Sequence, residues 1–402
     1  MAPITAQYTP LDYGDFGEDA PIIRPPLISK RRILFLMPFV AIFASLITLS
    51  VNGPRKSIDM SSKFIAETLS GLASPRCPAH CPSDPFVKSG ILHLGAYPND
   101  TRWLPFPHDP IDALSHPLRS ETIDYNAIPD MNVFAQASPQ YMKMLSVNST
   151  AMPWVVNKTI LIIGSSHDRN NIQFMCDDVH GKYTDLGGHK FGYCTIPHYN
   201  LTLVNWFLYG MVDSEGFDWF RPTEDRPITF EKRFDEVMIP LMHKQGLAKP
   251  NLIIETSLFW DDMFFEIRAK HLNSTHGGHS PLTYSEINWH RSRVHALISK
   301  TRQLYGSQVP IMFRTRHLRK DNRWNRVLRI FQLDQSVRAI AEELGIKLFD
   351  WGGNLEGQTD MFYDDDQHFK NGPATWLAGD MMLFYLRRAV TAGCWQCHQW
   401  RD

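Results

Sequence analysis

Thr159-Ile160-Leu161-Ile162-Ile163-Gly164-Ser165-Ser166-His167-Asp168-Arg169-Asn170 is the stretch that decides the fold. Thr159–Ile163 is a short apolar run ending at Gly164, the pattern of a buried strand. Asp168–Val179 follows as a helix, with Ile172, Met175 and Val179 on one face. A strand that turns through glycine into a helix is the first half of a βα unit. Working outward, the alternation continues. Leu201–Phe207, Leu252–Thr256, Val309–Arg314 and Ile346–Asp350 read as strands. Phe230–Lys244, Trp289–Leu304, Val327–Leu344 and Pro373–Arg388 read as helices, with Gly306 and Gly345 as stops. The last helix opens on Asn371-Gly372-Pro373, a cap followed by proline in the first turn, and carries the stripe Leu377, Met381, Phe384. Repeated βα units imply an α/β fold, a three-layer parallel sheet between helices. Sites in such sheets lie at the carboxyl ends of strands.

Upstream, the chain changes character. Residues 1–32 are polar and proline-containing and read as a disordered cytosolic tail. Residues 33–51, Ile33 to Val51, run 19 residues without a charge. As a helix they span about 28 Å, close to the hydrocarbon core of a bilayer. They read as one transmembrane signal-anchor helix, with Lys30, Arg31 and Arg32 favouring a cytosolic N-terminus. Residues 52–76 read as a stem with a short helix around Lys63–Leu69. Residues 77–402 form the lumenal α/β domain, with its core at 155–390 and an irregular part at 77–150. Hydrophobic residues make up 43% of the chain, enough for a sizeable core, and the net charge of −1 gives no footprint for nucleic acid. All six cysteines (Cys77, Cys81, Cys176, Cys194, Cys394, Cys397) follow the apolar run. So do five N-x-S/T sequons, at Asn99, Asn148, Asn157, Asn200 and Asn273. Both features fit an oxidising, glycosylating compartment. The localisation expected is a single-pass type II protein of the Golgi or another secretory-pathway membrane. Structural disulfides are expected, with the Cys394/Cys397 region tying back to Cys77/Cys81 and Cys176 pairing with Cys194. Zinc held by the same spacing is the lesser alternative.

Two segments carry chemistry. A serine at the turn after Gly164 places its hydroxyl at a helix N-terminus, where free N–H groups stabilise developing negative charge. A plain N-cap serine is the bland alternative. Asp365-Asp366-Gln367-His368 sets an Asp three residues before a His. The carboxylate can turn back onto the imidazole Nδ1–H and leave Nε2 free as a base. A solvated acidic loop is the bland alternative here. His271, His276 and His279 surround the Asn273 sequon and read as a glycosylated surface loop. Arg314, Arg316, His317, Arg319 and Lys320 form a basic run, either a groove for acidic sugar or a solvated face.

Both segments fall at strand-to-helix turns, at the start and end of one α/β domain. On these residues the chain resembles the SGNH/GDSL-type hydrolases, and within them the PC-esterase branch. That branch includes lumenal polysaccharide O-acetyltransferases with a type II membrane anchor. The matching segments are Ile162–Asp177, Asn251–Asp262 and Asp364–Met382, within roughly 155–390, with weaker similarity from Cys77 to Phe106. The resemblance implies Ser166 as nucleophile, His368 as general base and Asp365 as its orienting partner. It implies an oxyanion or substrate-supporting role for Arg169. Two departures stand out. The family's Gly-Asp-Ser reads Gly164-Ser165-Ser166, and the stretch Leu258-Phe259-Trp260-Asp261 lacks the Asn that supplies an oxyanion donor. Trp260 is the candidate replacement, through its indole N–H. The second oxyanion glycine is Gly188 or Gly192.

The function expected is an acyltransferase or acyl esterase acting on O-acetyl carbohydrate esters through a serine acyl-enzyme. It needs no cofactor or metal. Its partners are a glycan acceptor, an acyl donor, the membrane and, for a transferase, a multi-pass protein that supplies the donor. A type II glycosyltransferase using Asp364-Asp365-Asp366 as a metal motif, or an inactive carbohydrate-binding protein, are the competing expectations.

Overall fold

The structure is a computed structural model that describes residues 77–106, 136–187, 189–221, 225–274, 280–317, 320, 324–356, 362–365 and 367–397, with backbone alone for 324–328. All of these belong to one compact unit, Pro75–Asp402. The tail, the apolar run Ile33–Val51 and the stem lie outside the described residues. Among the described residues no helix is long and apolar enough to cross a membrane.

A small antiparallel pair, β1 (Gly90–His93) and β2 (Arg102–Pro105), and helix α1 (Tyr141–Ser146) precede the main sheet. In chain order the main elements then begin with β3 (Thr159–Gly164), α2 (Ser166–Asp178), β4 (Lys182–Asp185), β5 (Phe191–Ile196) and β6 (Leu201–Phe207). Helix α3 (Phe230–Arg233) continues through a π-helical turn, Phe234–Met238, into α4 (Ile239–Lys244). Strand β7 (Leu252–Glu255), α5 (Leu258–His271), α6 (Tyr284–Tyr305) and β8 (Ile311–Arg314) follow. The chain closes with α7 (Trp324–Leu344), β9 (Lys347–Phe349), α8 (Trp351–Asn354) and α9 (Pro373–Val390).

The sheet has seven strands in the order β4-β5-β6-β3-β7-β8-β9. Five of them, β6-β3-β7-β8-β9, are parallel. Numbered by appearance, those five run 2-1-3-4-5, the flavodoxin-like order whose topological switch point lies between the first and third strands. Here that is the crevice beside β3, the strand that delivers Ser166. The expectation of a wholly parallel sheet needs correction at one edge: β5 pairs antiparallel with β6, and β4 antiparallel with β5. A short connection joins β4 to β5 as a hairpin, whereas a parallel return needs a crossover.

Alternation along the central strands feeds two cores. Ile160 and Ile162 of β3 pack with α2, α9 and α1, while Leu161 and Ile163 pack with the helices of the opposite face. The two faces together make the three layers. Cys176–Cys194 ties α2 to β5, and Cys77–Cys397 and Cys81–Cys394 join the start of the described chain to its end. Arg388 of α9 secures that junction, donating to the Pro82, Cys394 and Cys397 carbonyls.

Candidate active site

The β3–α2 turn is built around Asp168. Ser165 caps the helix in extended conformation, and its N–H donates to Asp168 Oδ2 at 2.8 Å. Gly164 is required by close approach, since a Cβ there would sit 2.3 Å from that oxygen and 2.9 Å from Thr256 Cγ2. Ser166 is therefore the first helical residue. The N–H groups of the first turn have no acceptor within the helix, and the positive end of the dipole lies beside the hydroxyl.

The second half of the site is a tight loop between α8 and α9. An isolated bridge pairs Tyr363 with Phe369, and Asp364 N–H donates to the His368 carbonyl at 2.8 Å. Inside it, Asp365 Oδ1 accepts from the N–H groups of Gln367 and His368, each at 2.6 Å. Asp365 Oδ2 lies 2.9 Å from His368 Nδ1. Beyond the loop, Asn371 donates to Asp178 at 2.9 Å, tying this segment to the far end of α2. His368 Nε2 then stands 2.9 Å from Ser166 Oγ. Because a carboxylate only accepts, Nδ1 carries the proton and Nε2 presents its lone pair to the serine hydroxyl. Desolvation raises the Asp365 carboxyl only partly, and the three hydrogen bonds it accepts hold it down at about 2. It stays ionised at any ordinary pH. The His368 side chain is 27% exposed, so the pair opens to solvent on one side.

The remaining expectations divide. Arg169 is half-buried on α2, hydrogen-bonds Asn170, and its charge acts on His189 and Tyr183. Trp260 is buried in an aromatic cluster with Phe207 and Tyr209, beneath the Arg221 guanidinium at 4.1 Å. Among the described residues its indole N–H has no acceptor, and no hydrogen bond links it to Ser166. Gly192 lies inside the edge ladder, paired with Asp185 and Asn205, and Gly188 is outside the described residues. The first glycine beyond β6, the strand bordering β3, is instead Gly210. It follows Leu208, whose N–H donates to the Gly164 carbonyl at 2.7 Å, and holds φ at +83°. Gly210 lies just past the expected strand Leu201–Phe207, and nothing in the sequence pattern singled it out.

Over its first residues the basic run is not a solvated face, and Arg314, Arg316 and His317 line a small pocket beside Ser165. Arg314, Arg316 and His317 are buried, and Arg316 pairs with Asp334 and Glu356. The position explains this: these residues leave the carboxyl end of β8, an interior strand between β7 and β9. Of the three histidines near Asn273, His271 stacks on Trp219 at 5.0 Å, and His276 and His279 lie outside the described residues. Asn148, Asn157, Asn200 and Asn273 are exposed at left-handed turns, and Asn99 is half-buried.

Sequence reasoning missed the groups behind the triad. Asp168 takes two bonds from Arg314, at 2.7 and 3.1 Å, in a fully buried pair. His167 and His317 pack against each other, with rings tilted by 45°, between the Ser166 turn and the His368 loop. Asp168 and Arg314 are 146 positions apart, which leaves no local pattern that would reveal the pair.

No protein-family model and no curated protein matches the chain. Solved structures similar to it include an acetylxylan esterase from Geobacillus stearothermophilus, at 14% identity over 57% of this chain and 94% of that one, with a TM-score of 0.34. A protein described as a GDSL-like lipase from Parabacteroides merdae is 9% identical over 59% and 97%, with a TM-score of 0.35. An α/β hydrolase from the metagenome of Lake Arreo, Spain, is 13% identical over 60% and 100%, with a TM-score of 0.32. Overlap at that level is too loose to assign an activity.

Proposed function

We propose that the chain is a serine-dependent acyl esterase or acyltransferase acting on O-acetyl esters of carbohydrate. The observation that carries this is the unbroken chain Ser166 Oγ–His368 Nε2–His368 Nδ1–Asp365, each link 2.9 Å long. Its place at the switch-point crevice of the sheet supports the same reading.

In this mechanism His368 Nε2 takes the hydroxyl proton as Ser166 Oγ bonds to the ester carbonyl carbon. Asp365 stabilises the imidazolium that forms. The oxyanion meets the Ser166 N–H at the start of α2, with Gly210 on the neighbouring loop the candidate second donor. Collapse breaks the ester C–O bond, and His368 returns its proton to the departing alcohol. The acyl group on Ser166 then passes to water in an esterase or to a sugar hydroxyl in a transferase, with His368 again the base.

The carbohydrate class rests on the resemblance of the two motif segments. Placement on the lumenal side of a secretory membrane, held by Ile33–Val51, rests on that apolar run. Three disulfides and four exposed sequon asparagines support it. A single span cannot itself carry an activated acyl group across the bilayer, so the transferase form requires a multi-pass partner or a lumenal donor. Incubating the full chain with acetylated oligosaccharides, and separately with unmodified ones plus an acetyl donor, separates the two forms by mass spectrometry. Loss of acetyl mass marks the esterase and gain marks the transferase. Neither change, or equal change with Ser166→Ala, contradicts the proposal.

A further inference from the structure

We propose that His167 is a positioning residue: together with Arg314 and His317 it fixes the His368 loop against the nucleophile turn. The inference rests on the triad described above. His167 follows the nucleophile on α2 and is 2% exposed, so it does not meet substrate. Its Nε2 bonds the backbone carbonyl of Gln367, the residue before His368. A carbonyl only accepts, so that nitrogen carries a proton and is committed. One side of the ring stacks on His368, with centroids 4.8 Å apart and planes 28° apart. His317 also packs against it, with centroids 3.8 Å apart.

From His317 the chain of contacts returns to its start. Arg314 Nη1 donates to His317 Nδ1 at 3.0 Å, and the same guanidinium grips Asp168. Asp168 in turn accepts from the Ser165 N–H. The circuit thus begins on the backbone beside Ser166 and ends on the backbone beside His368. Asp168, Arg314, His317 and His167 are all buried. A buried ion pair of this kind gains little stability over apolar packing of similar volume. Its distinctive product is geometry, and geometry is what a 2.9 Å proton-transfer contact depends on. Displacement of a reacting group by about 1 Å costs on the order of 100-fold in rate.

The test uses a fluorophosphonate, which bonds covalently to an activated serine as fluoride leaves, on the full chain. His167→Phe keeps the stacked ring and removes the donor. His167→Gln offers an amide N–H to the same carbonyl. The labelling rate of the Phe variant should fall about 10- to 100-fold with a displaced pH midpoint. The Gln variant should recover most of that loss, and thermal midpoints should stay close to wild type. Equal rates and equal pH profiles in wild type and His167→Phe overturn the inference while leaving the triad intact. So does an equal loss in both variants that tracks their thermal midpoints. If wild type labels no faster than Ser166→Ala, the triad reading fails and this inference fails with it. Imidazole nitrogen spectra of the wild-type protein give a check that needs no folded Phe variant. His167 should carry a proton on Nε2, and a ring protonated at Nδ1 alone overturns the proposal.

Discussion

Glu255 closes strand β7 with its side chain fully buried, and it has no place in the proposed chemistry. Burial pushes its carboxyl up to about 7, against small opposing effects of Thr301 and Arg302. The unfolded chain releases this proton near pH 4.5 and the folded chain only near 7. Below pH 4.5 both states hold it and nothing is lost. As pH climbs from there towards 7, only the unfolded state gains, so the native state loses stability. Glu255→Gln should therefore raise the thermal midpoint at pH 8 and leave it nearly unchanged at pH 4, as scanning calorimetry can show. Asp365 makes the opposite case, since its depressed carboxyl remains charged down to about pH 2. Asp365→Asn keeps the shape and removes the charge that fixes the His368 tautomer. A loss of about 100- to 10,000-fold in ester turnover is expected, with little change in folding. The Asp365–His368 relation was legible because three residues of loop bring the two groups together. The Asp168–Arg314 pair was not, because only the folded sheet makes them neighbours.

Among the elements, the strands and helices with a clear period were readable and those without it were not. Helix α5, Leu258–His271, buries residues on nearly every side, so no apolar stripe distinguishes it. Strand β4 is short, polar and half-exposed, and gave no alternation to read. Helix α6 begins at Tyr284, five residues before the expected Trp289. A capping box between Thr283 and Glu286 opens it. The edge hairpin that sequence reasoning missed is fastened to α2 by Cys176–Cys194, which closes a short loop. Replacing both cysteines by serine should cost about 3 kcal/mol on the loop-entropy model. Urea denaturation with the other two bridges intact measures it. Gly210 is a second element-level test. Its φ of +83° and a Cβ contact of 2.6 Å to Asp261 Oδ1 leave no room for alanine. Gly210→Ala should lose about 1–3 kcal/mol from backbone strain alone. A larger drop in turnover than in stability would support its place beside the oxyanion.

For the whole molecule, the order of the parallel strands is what makes two distant motifs one site. Ser166 and His368 are 202 residues apart. They meet because β3 lies at the switch point and because α9 returns to pack on α2. The alternation of βα units foretold that meeting, but the antiparallel edge and the buried circuit behind the triad depend on contacts that no local pattern encodes. The proposed anchor and the proposed chemistry are linked at this scale too. On that proposal an esterase would work with residues 77–402 alone, and a transferase would need acyl groups delivered across the membrane or supplied in the lumen. Both forms pass through the same covalent intermediate. The most direct measurement is therefore an acid quench of the protein during turnover of p-nitrophenyl acetate, followed by peptide mass spectrometry. An acetyl group on Ser166, absent from Ser166→Ala, is the result expected. Sustained turnover with Ser166 unmodified, or undiminished turnover in the alanine variant, would contradict the serine acyl-enzyme at the centre of this account.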